Sequence, residues 1–476
     1  MTRLLRIALS IAVLAAMACG GDVSPAHPTP DAASVVTDDG GLCTPSQTCG
    51  SLGYVCGQFT DSCGTSQTCT PGCSGTDSCS AEHTCTPTSS GGPHPFGTHG
   101  GYFGTGVIFP SNHSQAELDS ATASYYDAWK AAYIEPACGG GQFRIITDSG
   151  TSAYTVSEGH GYAMVITAMM EGHDPQAHTV FDGLYKYFDA HRSNNNNGLM
   201  AWAQDAQCQN VMGPDSATDG DLDVAYALLL ADRQWGSAGA IDYHAQALKV
   251  IAAVLESDVH PANSILVGDW VSSGDSHYNG TRPSDFMLSH FKSFAQKSGV
   301  ARWNDVVDKT YAVVAYVQTH ASAQTGLLPG FLVKADGATP EPAPGGWLEG
   351  GSDGRYDYNA CRVPWRLATD YLMTGEPRSQ AAVRPINAWI RTQTGGNPDA
   401  IKDGYQLNGT PTGGGPDLCF VSPFAVSAMV EPQAGTNQTW LNALWDNIEG
   451  RGLEGYYGDT VKMQCMLVAS GNWFVP

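Results

Sequence analysis

The chain has 476 residues, with 23 Lys or Arg against 46 Asp or Glu, and its formal net charge is therefore −23. This acidity excludes a nucleic-acid-binding protein, because phosphate contacts require a basic surface. Hydrophobic residues make up 42% of the chain, so it can bury a core and is not a disordered protein. Only 14% of residues are charged, and a surface of amides, hydroxyls and aromatic rings suits neutral sugars.

Residues 1–18 have the layout of a secretory signal peptide. The basic residues Arg3 and Arg6 precede an apolar run that is too short to span a membrane. Cys19 then follows a small residue and precedes two glycines, which resembles the lipidation site of bacterial lipoproteins, although Ala16 stands where a branched residue is usual. The alternative is ordinary signal cleavage. Both interpretations predict an exported protein, secreted or held at the cell surface through a lipid on Cys19.

Three further segments precede the main body. Residues 19–42 are rich in Pro, Ala, Asp and Gly and predict a flexible linker. Residues 43–85 contain eight cysteines with no CxxC pair, which favours a small disulfide-rich segment over a zinc site; their connectivity stays open. Residues 86–100 form a second linker. Residues 101–476 are the predicted catalytic domain.

Twelve helices are predicted in residues 101–476. Apolar residues recur there with the helical period in segments bounded by Gly, Pro, Asn or Ser. Short links, which make antiparallel neighbours, alternate with long ones. This alternation predicts an all-α (α/α)6 barrel of six helical hairpins, with the even-numbered helices inside and the long loops on one face. The predicted helices are 114–133, 157–172, 177–193, 218–235, 240–258, 282–299, 303–322, 360–375, 378–394, 421–431, 437–448 and 458–470.

Polar residues collect where the inner helices begin. Glu158 lies between apolar and aromatic residues, which disfavour its charged form and suit a general acid; a carboxylate that complements the helix dipole is the alternative. Asp219, Asp221 and Asp223 open the fourth helix and exceed what capping needs. They form a poor calcium loop, because the later Glu of an EF-hand is missing. Asp285 opens the sixth helix.

A longer polar run precedes the eighth helix, and Tyr456 precedes the twelfth. A ring of carboxylates, Arg, Trp and Tyr around one mouth predicts an oligosaccharide cleft with paired acids at its centre. The run before the eighth helix contains Trp347, Glu349, Asp353, Asp357, Asn359 and Arg362. The candidate sugar-stacking residues, for each of which core packing is the alternative, are Trp202, Tyr162, Trp270, Trp347 and Tyr456.

These motifs resemble those of glycoside hydrolase family 8, and they occur in the same order over residues 101–476. The resemblance implies an (α/α)6 barrel that cleaves internal β-1,4 bonds in cellulose, mixed-linkage glucan, chitosan or xylan with inversion. The matching motifs are Val156-Ser-Glu158-Gly-x-Gly-Tyr162, Asn197-Gly-Leu-Met-x-Trp202, Ala217-Thr-Asp219-Gly-Asp221, Arg362-Val-Pro-Trp-Arg366 and Tyr456-Tyr-Gly458.

The resemblance also implies the site residues. It makes Glu158 the proton donor, and it makes Asp219 the residue that binds and helps distort the sugar at the cleavage point. The resemblance and the position of these residues at the mouth predict a further substrate-binding set, which is Tyr162, Trp202, Asp285, Trp347, Asn359, Arg362 and Tyr456.

The general base departs from the usual family pattern. Many members have an Asp immediately before the Ala-x-Arg of the eighth helix, where this chain has Asn359, which cannot act as a carboxylate base. One subgroup shares that Asn and uses a Glu on the preceding loop. Glu349 fits this pattern, and Asp357 and Asp353 are the rival candidates.

The expected activity is endo-hydrolysis of cellulose or mixed-linkage glucan. A chitosanase is the alternative, because the acidic mouth would attract a polycation. A carbohydrate-binding protein that has lost catalysis is the alternative from another class, motivated by Asn359. No cofactor or metal is implied, and a monomer is expected. The barrel has an odd number of cysteines, so at least one stays unpaired if those of residues 43–85 pair among themselves and Cys19 is lipidated.

Overall fold

The computed structural model describes residues 48–49, 58–69, 78–79, 85–86, 93–99, 101–147, 152–431 and 435–476. These residues fall into two units, divided between Pro87 and Thr88. The predicted signal segment, Cys19, the first linker and most of the cysteine-rich segment lie outside the described residues. Within the described ranges, no helix has both the length and the apolar character that a membrane span requires.

The described part of the first unit consists of two short antiparallel hairpins. Strand β1 (Gln58–Thr60) pairs with β2 (Ser66–Thr68), and β3 (Ser78–Cys79) pairs with β4 (Cys85–Thr86). A disulfide joins Cys49 to Cys69. So few residues cannot bury a large core, and cross-links of this kind supply the constraint that a core would otherwise give.

The second unit contains twelve helices among its described residues, as the sequence predicts. Each outer helix buries one face; α3, for example, buries Val180, Phe181, Leu184 and Phe188, which recur at helical spacing. The helices are Gln115–Tyr133 (α1), Ser157–Met169 (α2), Ala177–Ala190 (α3), Thr218–Trp235 (α4), Tyr243–Ser257 (α5), Leu288–Ser298 (α6), Arg302–His320 (α7), Val363–Thr374 (α8), Pro377–Gln393 (α9), Leu418–Ala428 (α10), Gly435–Glu449 (α11) and Tyr456–Ala469 (α12).

The even-numbered helices form the inner ring of an (α/α)6 barrel. Each contacts the next, from α2 to α4 and onward to α12, and α12 contacts α2. Two motif glycines allow the closest of these approaches. A Cβ at Gly161 on α2 would lie 2.9 Å from the carbonyl oxygen of Gly220 on α4, and a Cβ at Gly220 would lie 2.5 Å from Oγ of Ser157. Both distances are too short for a side chain, so these glycines let the two inner helices touch.

The first and last helices close the ring. The Tyr125 hydroxyl of α1 donates to Oδ1 of Asp459 on α12 at 2.9 Å, and Nε1 of Trp129 donates to Oγ1 of Thr460 at 2.9 Å. Apolar surface on α1 is thereby buried against the C-terminal helix.

Long loops connect each outer helix to the following inner helix from α1 to α10. They contain the small antiparallel pairs β5 (Ile134–Pro136) with β6 (Phe143–Ile145), β7 (Thr155–Val156) with β8 (Ala203–Gln204), and β9 (Leu332–Val333) with β10 (Glu341–Pro342). The Cys138–Cys208 disulfide ties the first two of these loops together. The free cysteines of the described residues, Cys361, Cys419 and Cys465, are buried.

Two inner helices begin later than predicted. A 3-10 turn, Pro283–Asp285, precedes α6, and another, Ala360–Arg362, leads into α8. The apolar periodicity of the sequence continues through both turns. The backbone there is nevertheless a 3-10 helix and not an α-helix, and the site residues lie in it. These turns place Asp285 and Arg362 at the same end of the barrel as Glu158 and Asp219, which lie in the first turns of α2 and α4.

Candidate active site

Arg362 connects the polar residues at the mouth of the inner ring. Its side chain is fully buried. Nη1 donates to Oε2 of Glu158 at 2.6 Å and to Oδ2 of Asp219 at 3.0 Å, while Nη2 donates to Oδ1 of Asn359 at 2.9 Å and to Oγ of Ser284 at 2.9 Å. One guanidinium thus joins the starts of four inner helices. Such a planar fork fixes the relative positions of its acceptors.

Glu158 has the properties of an acid that is protonated near neutrality. Burial raises the pKa of Glu158 to about 7, against the opposing charge of Arg362, and the negative charge of Asp219 adds to the rise. Its side chain nevertheless keeps 18% exposure, so it can reach a ligand. A carboxyl group of this kind holds a proton at neutral pH and can deliver it to a leaving oxygen.

Tyr456 contacts the same carboxyl group from α12. Its hydroxyl donates to Oε1 of Glu158 at 3.2 Å, a bond that favours the ionised form and lowers the pKa of Glu158. Replacing Tyr456 with Phe should therefore raise that pKa. Because a general acid is active while protonated, the alkaline limb of the kcat/KM profile should move to higher pH in the variant.

The neighbouring tyrosine provides a matched control for this prediction. The Tyr457 hydroxyl donates to the backbone carbonyl oxygen of Tyr358 at 2.6 Å rather than to Glu158. Tyr457→Phe should leave the alkaline limb where it is. A Tyr456→Phe profile that superimposes on the wild type, or moves to lower pH, would contradict the assigned interaction.

Asp219 differs from Glu158 although both are buried. Burial alone would raise the pKa of Asp219, but the positive charges of Arg282 and Arg362 outweigh it and hold the pKa below its usual value. Arg282 approaches Oδ1 at 2.9 Å, opposite Arg362 on Oδ2. Asp219 is therefore an ionised carboxylate that forms ion pairs with two guanidinium groups.

Asp285 lies at the predicted end of the barrel, but a neighbouring arginine engages its carboxylate. It is fully buried and accepts from Nε of Arg282 with both oxygens, at 3.0 and 3.1 Å. Burial raises the pKa of Asp285 to about 6, against the opposing charge of Arg282. The short side chain thus points at the arginine three residues earlier, not into the open mouth. Its role in this structure is to orient Arg282.

Glu349 lies on the loop before α8 and is half exposed, with 52% of its side chain accessible. Nδ2 of Asn359 donates to its Oε2 at 2.7 Å, and Nη1 of Arg282 lies 4.0 Å from its Oε1. Asn359 therefore bridges Glu349 to Arg362, which in turn holds Glu158. The two glutamates stand on opposite sides of an amide and a guanidinium, one enclosed and one open to water.

The two rival candidates for the base have other contacts. Asp353 is buried and accepts three backbone N–H groups, from Leu348, Glu349 and Gly350, at 2.8 to 3.2 Å. Its carboxylate closes the loop that carries Glu349. Asp357 accepts the backbone N–H of Tyr358 at 2.9 Å.

The predicted sugar-stacking residues fall into two groups. Tyr162 is completely buried, with its hydroxyl accepting from Arg362 at 3.0 Å and its ring packed against Trp365, so the core alternative holds for it. The other four rings are partly exposed and lie in the loops or at the first turn of α12: Trp202, Trp270, Trp347 and Tyr456. Arg362, predicted to bind substrate, is likewise buried, and it positions groups that face the mouth.

Two functional residues were missed from the sequence. Arg282 and Ser284 belong to the Arg-Pro-Ser-Asp run that opens the sixth predicted helix, but the prediction names only Asp285 of this run as a site residue. An arginine beside several unpaired acids was the signal that could have identified Arg282, because buried carboxylates need a cation.

Three described residues could together hold a metal ion: His113, Asp446 and Glu449. Nε2 of His113 lies 2.7 Å from Asp446 and 3.5 Å from Glu449. They join the segment before α1 to the end of α11. None of these three residues is a hydrogen-bond partner of Arg362.

Comparison with known proteins gives a consistent result. The model of the family "Glycosyl hydrolases family 8" matches residues 110–471. The chain is 48% identical to the Beta-glucanase of Niallia circulans, over 80% of this chain and 91% of that protein. It is 39% identical to the Endoglucanase of Bacillus sp. strain KSM-330, over 78% and 80%. The solved apo structure of the beta-1,3-1,4-glucanase from Paenibacillus sp. X4 has 46% identity and a TM-score of 0.77, covering 80% of this chain and 99% of that one.

Proposed function

We propose a substrate and a catalytic pair for this chain, which belongs to glycosyl hydrolase family 8 and is an endo-acting glycoside hydrolase. The substrate is a β-glucan with internal β-1,4 bonds, either mixed-linkage glucan or cellulose. Support for the substrate comes from the names of the Beta-glucanase of Niallia circulans and the solved beta-1,3-1,4-glucanase, which are 48% and 46% identical to this chain. Since the family consists of hydrolases, the alternative of a non-catalytic binding protein is set aside.

The catalytic pair is Glu158 as acid and Glu349 as base. The observation that carries this assignment is the chain of contacts from Glu158 through Arg362 and Asn359 to Glu349. It separates a buried carboxyl group, protonated near pH 7, from an exposed one by two intervening side chains. Inverting glycosidases hold their two carboxyl groups roughly 6.5–9.5 Å apart to admit a water molecule, and we expect the same of Glu158 and Glu349.

The reaction then proceeds in one displacement. Glu158 donates its proton to the glycosidic oxygen as the bond to the anomeric carbon breaks. Glu349 takes a proton from the water that attacks the opposite face of the same carbon. Asp219, ionised between Arg282 and Arg362, lies beside Glu158, and its negative charge stabilises the positive charge that develops on the sugar. Asn359, which has no carboxylate and cannot be the base, orients Glu349 through its amide hydrogen bond.

Proton NMR of the first products tests the mechanism. Cleavage of a β bond should release the α anomer first, with the β anomer appearing later through mutarotation. Initial release of the β anomer would contradict an inverting pair.

A panel of lichenan, carboxymethylcellulose, chitosan and xylan tests the substrate. Reducing-sugar release should be fastest on one of the two glucans. A chitosanase remains the second candidate, because Asp219 and Glu349 give the mouth an acidic character that would attract a polycation. Faster release from chitosan than from both glucans would transfer the assignment to that substrate.

We also propose that the protein is exported and carries a lipid on Cys19. The signal layout of residues 1–18 supports export, and the Cys49–Cys69 and Cys138–Cys208 disulfides suit an oxidising compartment. Wild-type protein should fractionate with membranes, and Cys19→Ser should release it into the soluble fraction. Equal distribution of the two forms would reject the lipid.

A further inference from the structure

The loop that carries Glu349 has an internal and an external anchor. Asp353 holds it from within, through three backbone N–H groups. From outside, Nε2 of His277 lies 2.8 Å from the backbone carbonyl oxygen of Trp347, two residues before Glu349. Because Glu349 is half exposed and has a single side-chain hydrogen bond, from Asn359, its position depends strongly on the loop backbone.

His277 belongs to the long loop between α5 and α6. Its Nδ1 lies 2.7 Å from Oδ1 of Asp275, which also accepts the backbone N–H of His277 at 2.7 Å. The ring stands edge-on to two indoles, 5.3 Å from Trp270 and 4.9 Å from Trp347 between centroids. The imidazole is thus fixed at both nitrogens and on two sides.

Both nitrogens of His277 face acceptors. The Trp347 carbonyl oxygen can only accept, so Nε2 must donate to it. The Asp275 carboxylate, when ionised, can also only accept, so Nδ1 must donate as well. The hydrogen bonds with His277 lower the pKa of Asp275, while its slight burial opposes them, and the carboxylate form is therefore favoured. The Nε2 hydrogen bond therefore joins His277 to the loop that carries Glu349.

We propose that His277 is a positioning residue, which through its Nε2 contact anchors the Trp347–Asp353 loop and thereby holds Glu349 in register with Glu158. Without that donor the Trp347 carbonyl oxygen loses its partner, and the loop loses its external anchor. This inference rests on the proposed role of Glu349.

Three variants of the full chain separate the two contacts. His277→Gln places an amide N–H₂ near the position of Nε2, so it can donate to the Trp347 carbonyl oxygen. His277→Asn places one near Nδ1 and reaches Asp275 instead. His277→Ala loses both contacts. Asn and Ala should lower kcat roughly 10- to 100-fold, the scale of a displacement of about 1 Å at a catalytic group, whereas Gln should retain most of it with KM little changed in all three.

Rescue by the conservative variant provides a readout that a merely structural residue would not give. His277→Gln keeps the contact with the Trp347 carbonyl oxygen, whereas His277→Asn keeps only the contact with Asp275. The kcat should therefore stay near the wild-type value in Gln and fall in Asn, with KM little changed in both. A Gln variant that behaves like Ala, or an Asn variant that behaves like Gln, would overturn the proposal.

Hydrogen exchange distinguishes failure of the anchoring role from failure of the base assignment. At one fixed pH, amides of residues 345–353 should be less protected in His277→Asn and His277→Ala than in the wild type and His277→Gln. This measurement needs no activity. Retained activity in Glu349→Gln would reject the base while leaving the exchange result intact. Equal protection in the wild type and in His277→Ala would reject the anchoring role of His277 whatever Glu349 does.

Discussion

Glu158→Gln should lower kcat on lichenan by about 10³-fold, within the range for loss of a general acid. The amide is isosteric and can still contact Arg362, but it has no proton to give to the glycosidic oxygen. The loss should depend on the leaving group. An aryl cellobioside whose nitro-substituted phenolate departs without protonation should retain much more of its rate than lichenan.

A distant glutamate serves as the matched control. Glu341 pairs with Lys334 on the surface at 2.7 Å, with more than half of each side chain exposed, and such pairs contribute about 0–1 kcal/mol to stability. Glu341→Gln should therefore leave kcat and the melting temperature unchanged. Equal losses in Glu158→Gln on lichenan and on the activated aryl substrate would argue against proton donation.

Glu349→Ala should lower kcat by a similar factor, about 10³-fold, because the attacking water loses its base. The truncated side chain also opens space beside the anomeric carbon. Azide, an anion that needs no deprotonation, should restore turnover there and form the α-glycosyl azide by attack opposite the departing β bond. Identification of this azide product by NMR would show that the side chain of Glu349 lies on the face of the sugar that the nucleophile attacks.

Asp357 supplies the control for this experiment. It lies eight residues further along the same segment and was a rival for the same role, yet its Oδ1 accepts a backbone N–H of the chain beside it. Asp357→Asn should keep most of the wild-type kcat and gain nothing from azide. Azide rescue of an Asp357 variant, with full activity in Glu349→Ala, would move the base to Asp357.

The barrel could be predicted from the sequence because its signals are local. Alternating link lengths and apolar periodicity identify the helices and their order. The predicted helix boundaries are wrong where a capping side chain, and not the apolar periodicity, determines where the helix begins. The tenth helix begins at Leu418, three residues before the predicted start, because the Asp417 side chain caps it by accepting the backbone N–H of Cys419 at 3.0 Å, while Pro423 sits inside the helix.

The direction of side chains could not be predicted in the same way. Tyr162 and Asp285 lie at the mouth in sequence terms, and composition alone favoured contact with sugar. Whether they face the opening depends on partners 200 and 3 residues away, Arg362 for the tyrosine and Arg282 for the aspartate. Motif matching places a residue at the correct end of a helix. Whether its side chain contacts a ligand or supports another side chain depends on the partner that it meets in the folded protein, near or far along the chain.

Closure of the barrel by α1 and α12 has a consequence for folding. Each inner helix can pack on its predecessor as the chain grows, but the Tyr125–Asp459 contact joins residues 334 positions apart. Until α12 is synthesised, the apolar side chains of α1 and α2 that pack against it stay exposed. Glu158 also lacks its hydrogen bond from Tyr456. Long-range closure of this kind is slow, and chains awaiting it are prone to aggregate. The active site is therefore complete only when α12, the last helix to be synthesised, has packed and the barrel has closed.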